Sequence, residues 1–254
     1  MAEKIKGGPP EISSENTARG YLEEWGRSGE GLALDSAQID LFMDYLAELM
    51  DWNKRINLTA IREEREIVQK HFVDSLTCLQ AAPFPAGSRV IDVGSGAGFP
   101  GVPLKIARPD LAVTLLDSLQ KRVAFLEHLR EKLGLDGILV VHGRAEDLAH
   151  SPLHRESYDV ATARAVARLR VLAEYVLPFV RVGGTFIAQK GPEAEAELEE
   201  ALAAFKKLGG EFRRIKKLAL PHEAGDRNLV VIEKVSPTPS NLPRKAGTPE
   251  KKPL

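Results

Sequence analysis

Apolar residues follow two rhythms along this chain, and the change of rhythm at Ser88 divides it. Before that point they recur at helical spacing. Ile39, Phe42, Met43, Leu46, Leu49 and Met50 mark one face of a helix. Asp35-Ser36-Ala37-Gln38 opens it, with Asp35 as N-cap and Gln38 placed to bond back. A second helix is predicted over 63–80, with Ile67, Phe72, Leu76 and Leu79 inward, and Pro83 and Pro85 close the region. Residues 1–31, rich in Gly, Pro, Ser and charge, read as a loose arm carrying one short helix around 18–25.

After Ser88 the apolar residues come in short solid runs: 89–93, 111–116, 138–141, 158–161 and 184–188. Such runs read as strands buried on both faces. Helical stretches over 119–133 and 169–180 lie between them, so the pattern predicts a parallel sheet covered by helices on both sides. A helix over 193–208 ends at Gly209-Gly210. Two last strands, 212–220 and 228–234, are too close for a crossover helix and should pair antiparallel. The expected layout is α/β, a mainly parallel seven-stranded sheet with a helical N-terminal extension. Its divisions are an arm (1–33), a helical region (34–86), the sheet domain (87–235) and a basic flexible tail (236–254).

Composition narrows the class. The chain has 254 residues, 43% hydrophobic and 28% charged, as in ordinary globular proteins. No apolar run approaches the ~20 residues of a membrane span, and the N-terminus has no secretory h-region, so a cytoplasmic protein is expected. Cys78 is the one cysteine, which excludes an intrachain disulfide and a cysteine zinc cluster; no metal site is expected. The net charge of −1 gives no argument for a nucleic-acid partner. Local basic runs, in the tail and around 206–217, are solvated faces by default and candidates for phosphate contact.

The most informative segment is Val90-Ile91-Asp92-Val93-Gly94-Ser95-Gly96-Ala97-Gly98-Phe99-Pro100-Gly101. A strand runs into alternating glycines and then a helix, the place where open parallel sheets bind ligands. The loop also fits the dinucleotide fingerprint, so by itself it does not choose between NAD and S-adenosyl-L-methionine. Asp92, if it faces the ligand, favours the second: it would repel a diphosphate and attract a methionine ammonium. The alternative is that Asp92 caps loop amides. Asp117, at the end of the second strand, suits the ribose hydroxyls of any adenosine cofactor. Gly143-Arg144-Ala145-Glu146-Asp147 follows the third strand, where an acidic group can accept from an adenine amine.

These residues carry a resemblance. The segment 92–101, Leu115-Leu116-Asp117-Ser118-Leu119-Gln120-Lys121-Arg122 and Thr162-Ala163-Arg164-Ala165-Val166-Ala167 resemble the bacterial glucose-inhibited division protein B family. So do Trp52-Asn53-Lys54-Arg55-Ile56-Asn57-Leu58-Thr59, His71-Phe72-Val73-Asp74-Ser75-Leu76 and the tail segment 243–249. The resemblance implies the class I methyltransferase fold, Rossmann-like, and methyl transfer from S-adenosyl-L-methionine to N7 of one guanine in 16S rRNA. It implies cofactor contacts at Gly94, Phe99, Ala145, Glu146 and Arg164, to which the loop glycines Gly96 and Gly98 and the carboxylates Asp92 and Asp117 are added. N7 has a lone pair and no proton, so no general base is needed, and positioning and electrostatics are expected to carry the rate. Arg164 and Lys190, at the ends of the fourth and fifth strands, are the candidate catalytic cations, with Arg164 also suited to clamping the methionine carboxylate. RNA contacts are expected at Lys54, Arg55 and Asn57 and, on a mobile tail, at Arg244, Lys245, Lys251 and Lys252. The partner is 16S rRNA or the small-subunit particle, and the chain is expected to act as a monomer. Two rival readings remain at this point, an NAD-dependent oxidoreductase and a non-catalytic RNA-binding assembly factor.

Overall fold

The computed structural model describes residues 17–27, 32–220 and 225–254. Most of the expected loose arm therefore lies outside the described residues. Its helix is present as α1 (Ala18–Arg27) and is not loose. Tyr21, Leu22 and Trp25 are buried against α2 (Ser36–Asn53) and the helical segment after it. Burial of each such side chain contributes ~1.5–3 kcal/mol, which is what holds a ten-residue helix that would be marginal alone.

The capping box at Asp35 forms as the sequence predicts. Gln38 N donates to Asp35 Oδ1 at 2.8 Å, and Asp35 N to Gln38 Oε1 at 3.0 Å. The Gln38 amide nitrogen also donates to the Ile106 and Ala107 carbonyls, tying the start of α2 to the end of a helix in the sheet domain.

The helix predicted over 63–80 is broken into pieces. These are α3 (Glu64–Ile67), a π-helical turn (Val68–Val73), α4 (Asp74–Leu76) and α5 (Cys78–Ala81). A π turn inserts a residue and so rotates the side chains after it relative to those before. Here it aims His71 and Asp74 inward at the site described below.

Seven strands follow: β1 (Arg89–Val93), β2 (Ala112–Asp117), β3 (Ile138–His142), β4 (Tyr158–Arg164), β5 (Val180–Lys190), β6 (Gly210–Ala219) and β7 (Asp226–Lys234). Their order in the sheet is β3-β2-β1-β4-β5-β7-β6, with β7 antiparallel to both neighbours. Alternation along each strand feeds two cores. Val90, Val113, Leu115 and Val160 pack with α1, α2, α6 (Gly101–Ala107) and α7 (Gln120–Lys132). Ile91, Leu116, Ala161 and Phe186 pack with α9 (Leu169–Val176) and α10 (Ala194–Lys207) on the other face. The N-terminal helices thus share a continuous core with the sheet. The order reverses between β1 and β4, whose neighbours run in opposite directions, and this switch point places a crevice beyond their carboxyl ends.

The tail expected to be flexible is packed. Leu242 and Pro249 are buried, and the chain ends with α11 (Thr248–Lys251) against α9. Composition suggested a solvated tail; apolar and hydrogen-bonding contacts far away in sequence hold it down.

Candidate functional site

The glycine loop is built by backbone need. Gly94 has φ +75°, and a Cβ there would lie 2.6 Å from Val166 Cγ2, so the position takes no side chain. Gly94 N and Ser95 N both donate to the Leu116 carbonyl at the end of β2. Asp117 completes the turn, with Oδ2 accepting from Gly96 N at 2.8 Å and Oδ1 from Leu119 N at 2.9 Å. A carboxylate has about four acceptor sites, so Asp117 retains capacity for hydroxyl donors.

Two expected cofactor residues face elsewhere. Asp92 is fully buried beneath the loop. Its Oδ2 accepts from Gly101 N at 2.9 Å, and its Oδ1 lies 3.4 Å from the Thr162 hydroxyl. It braces the loop from below and accepts from the amide that opens α6, which is the alternative role the sequence left open for it. Gly98 (φ +99°) is also turned away. A Cβ there would meet the Tyr45 hydroxyl and Val102 at 2.8 Å, which makes it the contact point between loop and α2.

Burial pushes the Asp92 carboxyl up to about 7, against the pull of the Gly101 amide and Arg164. Burial, with Arg164 beside it, lowers His71 to about 3. A folded value raised from 3.8 to about 7 gives stability that is full below pH 4 and lost as pH rises to 7. A folded value lowered from 6.5 to about 3 gives stability that is full above pH 6.5 and lost as pH falls toward 3. Asp92→Asn is therefore expected to flatten the loss of stability between pH 4 and 7, read by denaturant unfolding across that range. Parallel curves for variant and wild type would show that this carboxyl does not titrate there.

Two cavities lie side by side at the strand ends. The smaller, about 80 Å³, is lined by Gly94, Leu116, Asp117, Ala145, Glu146, Val166 and Tyr175. Ala145 and Glu146 open α8 (Ala145–Leu148). Glu146 is buried and accepts from Gly247 N at 2.9 Å. Burial, with Glu146 and Glu250 nearby, pushes the Tyr175 hydroxyl up to about 12. Two buried carboxylates beside side-chain-free backbone suit an adenosine, which brings ribose hydroxyls and an exocyclic amine as donors. The residues present fit the adenosine end of the expected cofactor.

The larger cavity, about 660 Å³, is lined by Ile61, Lys70, His71, Asp74, Arg164, Gln189, Lys190, Glu197 and Arg227, among others. Asp74 is its organising group, almost wholly buried. It accepts from Arg164 Nη1 at 3.0 Å, from Arg227 Nε at 3.1 Å and from Gln189 Nε2 at 3.3 Å. The Arg164 guanidinium lies over the Phe99 ring at 4.8 Å and donates to the Lys70 carbonyl on the π turn. Phe99 is buried and stacks on His71 at 4.6 Å, so it supports Arg164 from below. His71 Nε2 sits 2.7 Å from the Thr59 hydroxyl. Lys190 pairs with Glu197 at 2.7 Å and donates to the Ala167 carbonyl.

Ala165 stands in the chain between Arg164, which lines the larger cavity, and Val166, which lines the smaller. It has φ +55° without being glycine, a conformation that costs roughly 1–2 kcal/mol. That bend sends Arg164 into the large cavity and Val166 over Gly94.

Gly94, Asp117, Ala145 and Glu146 thus gather around one cavity and Arg164 and Lys190 around the other, with Gly96 in the loop beside the first. Gln189 and Arg227 were not candidates from the sequence, and Asp74 entered there only within the segment 71–76 that carries the family resemblance. The signal for Asp74 was present, a charged residue on the inward face of an apolar helix three residues after His71; Arg227 gave none, since the antiparallel pairing brings it in.

Lys54, Arg55 and Asn57 are exposed on the loop after α2. Arg55 pairs with Asp51 and stacks on Trp52. The Asn53 side chain folds this loop, accepting from Leu58 N and Thr59 N, and Thr59 and Ile61 connect it to the large cavity. Lys245, Lys251 and Lys252 are exposed. Arg244 is not the free cation expected: it is held two-pronged by the fully buried Glu174, because a buried carboxylate demands a partner.

Among the described residues no helix is long and apolar enough to cross a membrane. The fold resembles that of M. jannaschii TYW2 solved in complex with AdoMet, with a TM-score of 0.51 at 12% identity, covering 69% of this chain and 80% of that one. In sequence the chain is 54% identical to the Ribosomal RNA small subunit methyltransferase G of Desulforamulus reducens, over 84% of this chain and 89% of that protein. It is 49% identical to the protein of the same name from Symbiobacterium thermophilum, over 93% of this chain and 98% of that one. Residues 38–230 match the family model described as GidB: rRNA small subunit methyltransferase G. With that match, over the segment that holds both cavities, the chain belongs to the GidB family of small-subunit rRNA methyltransferases.

Proposed function

We propose that this protein transfers a methyl group from S-adenosyl-L-methionine to N7 of one guanine in 16S rRNA, in the cytoplasm, acting as a monomer on the rRNA or on the small-subunit particle. The observation that carries the reading is a pair of cavities joined through Arg164-Ala165-Val166: a nook with two acidic acceptors, lined by Val166, and a roomy cationic chamber, lined by Arg164 and Ala165.

S-adenosyl-L-methionine supplies the electrophilic sulfonium methyl. Asp117 and Glu146 hold its adenosine, and Arg164 is within the chamber next door to orient the reacting groups. N7 needs no base, which agrees with a half-buried His71 that is neutral through the physiological range. Methylation leaves the purine positively charged. Bare cations around the ring would oppose that, whereas here Asp74 and Glu197 partly neutralise Arg164, Arg227 and Lys190. What remains of each cation can still donate to guanine O6 or to phosphate.

The test is transfer of labelled methyl from S-adenosyl-L-methionine to 16S rRNA, followed by mass spectrometry for 7-methylguanosine. No transfer to naked rRNA or to particles would reject the reading, and binding of NADH in preference to S-adenosyl-L-methionine would replace it with the oxidoreductase. For the RNA face, the double variant Lys54→Ala, Arg55→Ala is expected to weaken RNA binding and to reduce the slope of log K against log salt by about 1–2. Filter binding over a salt series measures both; an unchanged slope removes this loop from the interface.

A further inference from the structure

We infer that the C-terminal strap, fastened by Arg244, positions Glu146 in the adenosine nook, rather than serving as an arm for RNA. The inference rests on the function proposed above and deepens it.

The strap is held along its length by the body of the sheet domain. Arg155 donates to the carbonyls of Thr238 and Leu242 at 2.8 Å each. His150 Nε2 lies 2.8 Å from the Pro243 carbonyl. At Arg244 the fastening becomes ionic. Its backbone N and its Nε donate to Glu174 Oε1 at 2.8 and 2.9 Å, and Nη2 donates to Oε2 at 2.6 Å. Glu174 is on α9 and has no solvent exposure. Three residues later the chain turns through Gly247, at φ +79°, and its N–H donates to Glu146 Oε1 at 2.9 Å.

Glu146 is 4% exposed, and a buried carboxylate keeps its charge and its direction only through donors. Among the described residues Gly247 N is the donor to its Oε1, and nothing holds Oε2. That arrangement leaves one oxygen for a donor in the nook, such as an adenine exocyclic amine. Arg244 is therefore a positioning residue: it fixes the strap, the strap fixes Gly247, and Gly247 aims Glu146.

The test compares four full-length proteins in methyl transfer and in binding of S-adenosylhomocysteine and its inosine analogue, which lacks the amine. They are wild type, Arg244→Met with Glu174→Gln, Arg244→Lys, and Gly247→Ala. The double variant leaves no buried carboxylate unpaired and so guards against simple unfolding. Gly247→Ala disturbs the amide without touching the clamp; a Cβ there meets open space, but the left-handed backbone is strained. The double variant is expected to raise KM for S-adenosyl-L-methionine about tenfold. Its kcat at saturating cofactor and its affinity for RNA should stay near wild type, and its preference for the adenosine over the inosine ligand should shrink. Arg244→Lys should recover part of the loss, and Gly247→Ala should show a smaller shift of the same kind. A lowered melting temperature with unchanged cofactor KM and unchanged ligand preference would overturn the inference, leaving the strap a structural fastening. Lost RNA affinity with unchanged cofactor binding would overturn it in favour of an RNA arm. If wild type binds neither ligand, the proposed function itself fails, and the inference with it.

Discussion

Replacing Arg164 with alanine is expected to lower kcat for methyl transfer by about 10²–10³-fold, the usual loss when a preorganised charged donor is removed from a reacting centre. Arg164 is half-enclosed at the boundary of the two cavities, with Phe99 beneath it and Asp74 fixing one edge. Its position therefore does not have to be found again in each turnover. Lysine is not expected to rescue the rate, because a point charge cannot stack on Phe99, hold Asp74 and reach into the cavity together. Single-turnover kinetics with saturating cofactor measures the effect, and circular dichroism checks that the variant is folded. A folded Arg164→Ala protein with wild-type turnover would show that the guanidinium has no part in the reaction.

Asp74→Ala is expected to cost about 3–5 kcal/mol of stability, because it removes the shared partner of two partly buried guanidiniums. In a chain of this size that is a fall in melting temperature of roughly 10 °C. Activity should fall as well, since Arg164 and Arg227 would then repel each other across the chamber. Asp74→Asn should be milder on both counts, keeping the oxygen that Gln189 and one arginine use. Combining Asp74→Ala with Arg227→Met should recover part of the stability but not the activity, because one unpaired charge is gone while Arg164 is still unanchored. Additive losses in the double variant would show that the two side chains are not energetically coupled.

The same contrast between pattern and packing runs through the whole molecule. The five parallel strands were visible in the sequence as short apolar runs, the pattern expected of a sheet covered by helices on both sides; β6, with Arg213, Arg214, Lys216 and Lys217 along it, is not such a run. Boundaries moved where hydrogen bonding outlasts hydrophobicity: β4 runs on to Arg164 and β5 on to Lys190, placing polar side chains at the crevice. The capping box at Asp35 was legible because its chemistry is entirely local. The π turn at 68–73 was not, because its cost is repaid by tertiary contacts, including Arg164 donating to the Lys70 carbonyl.

The site divides in the same way. The glycine loop, Asp117 and Glu146 could be picked out from spacing after each strand, since strand ends fix where such residues must sit. The direction in which each points could not. Asp92 and Gly98 belong to the same motif yet turn into the core, the first to hold the Gly101 amide and the second to admit Tyr45. The tail is the sharpest case. Arg244 and its neighbours look like a solvated basic run, and nothing nearby in sequence announces that a buried glutamate on α9 awaits one of them.

Local rules thus determined from sequence alone which segments become strands or helices, where the chain bends through glycine, and which carboxylates stand at the strand ends. Only the folded structure decided which charges are spent on one another and which are left to meet a ligand. The reason is physical: secondary structure follows from neighbours a few residues away, whereas the pairing of buried charges joins residues such as Asp74 with Arg227, and Glu174 with Arg244, that are brought together only when the whole sheet has formed.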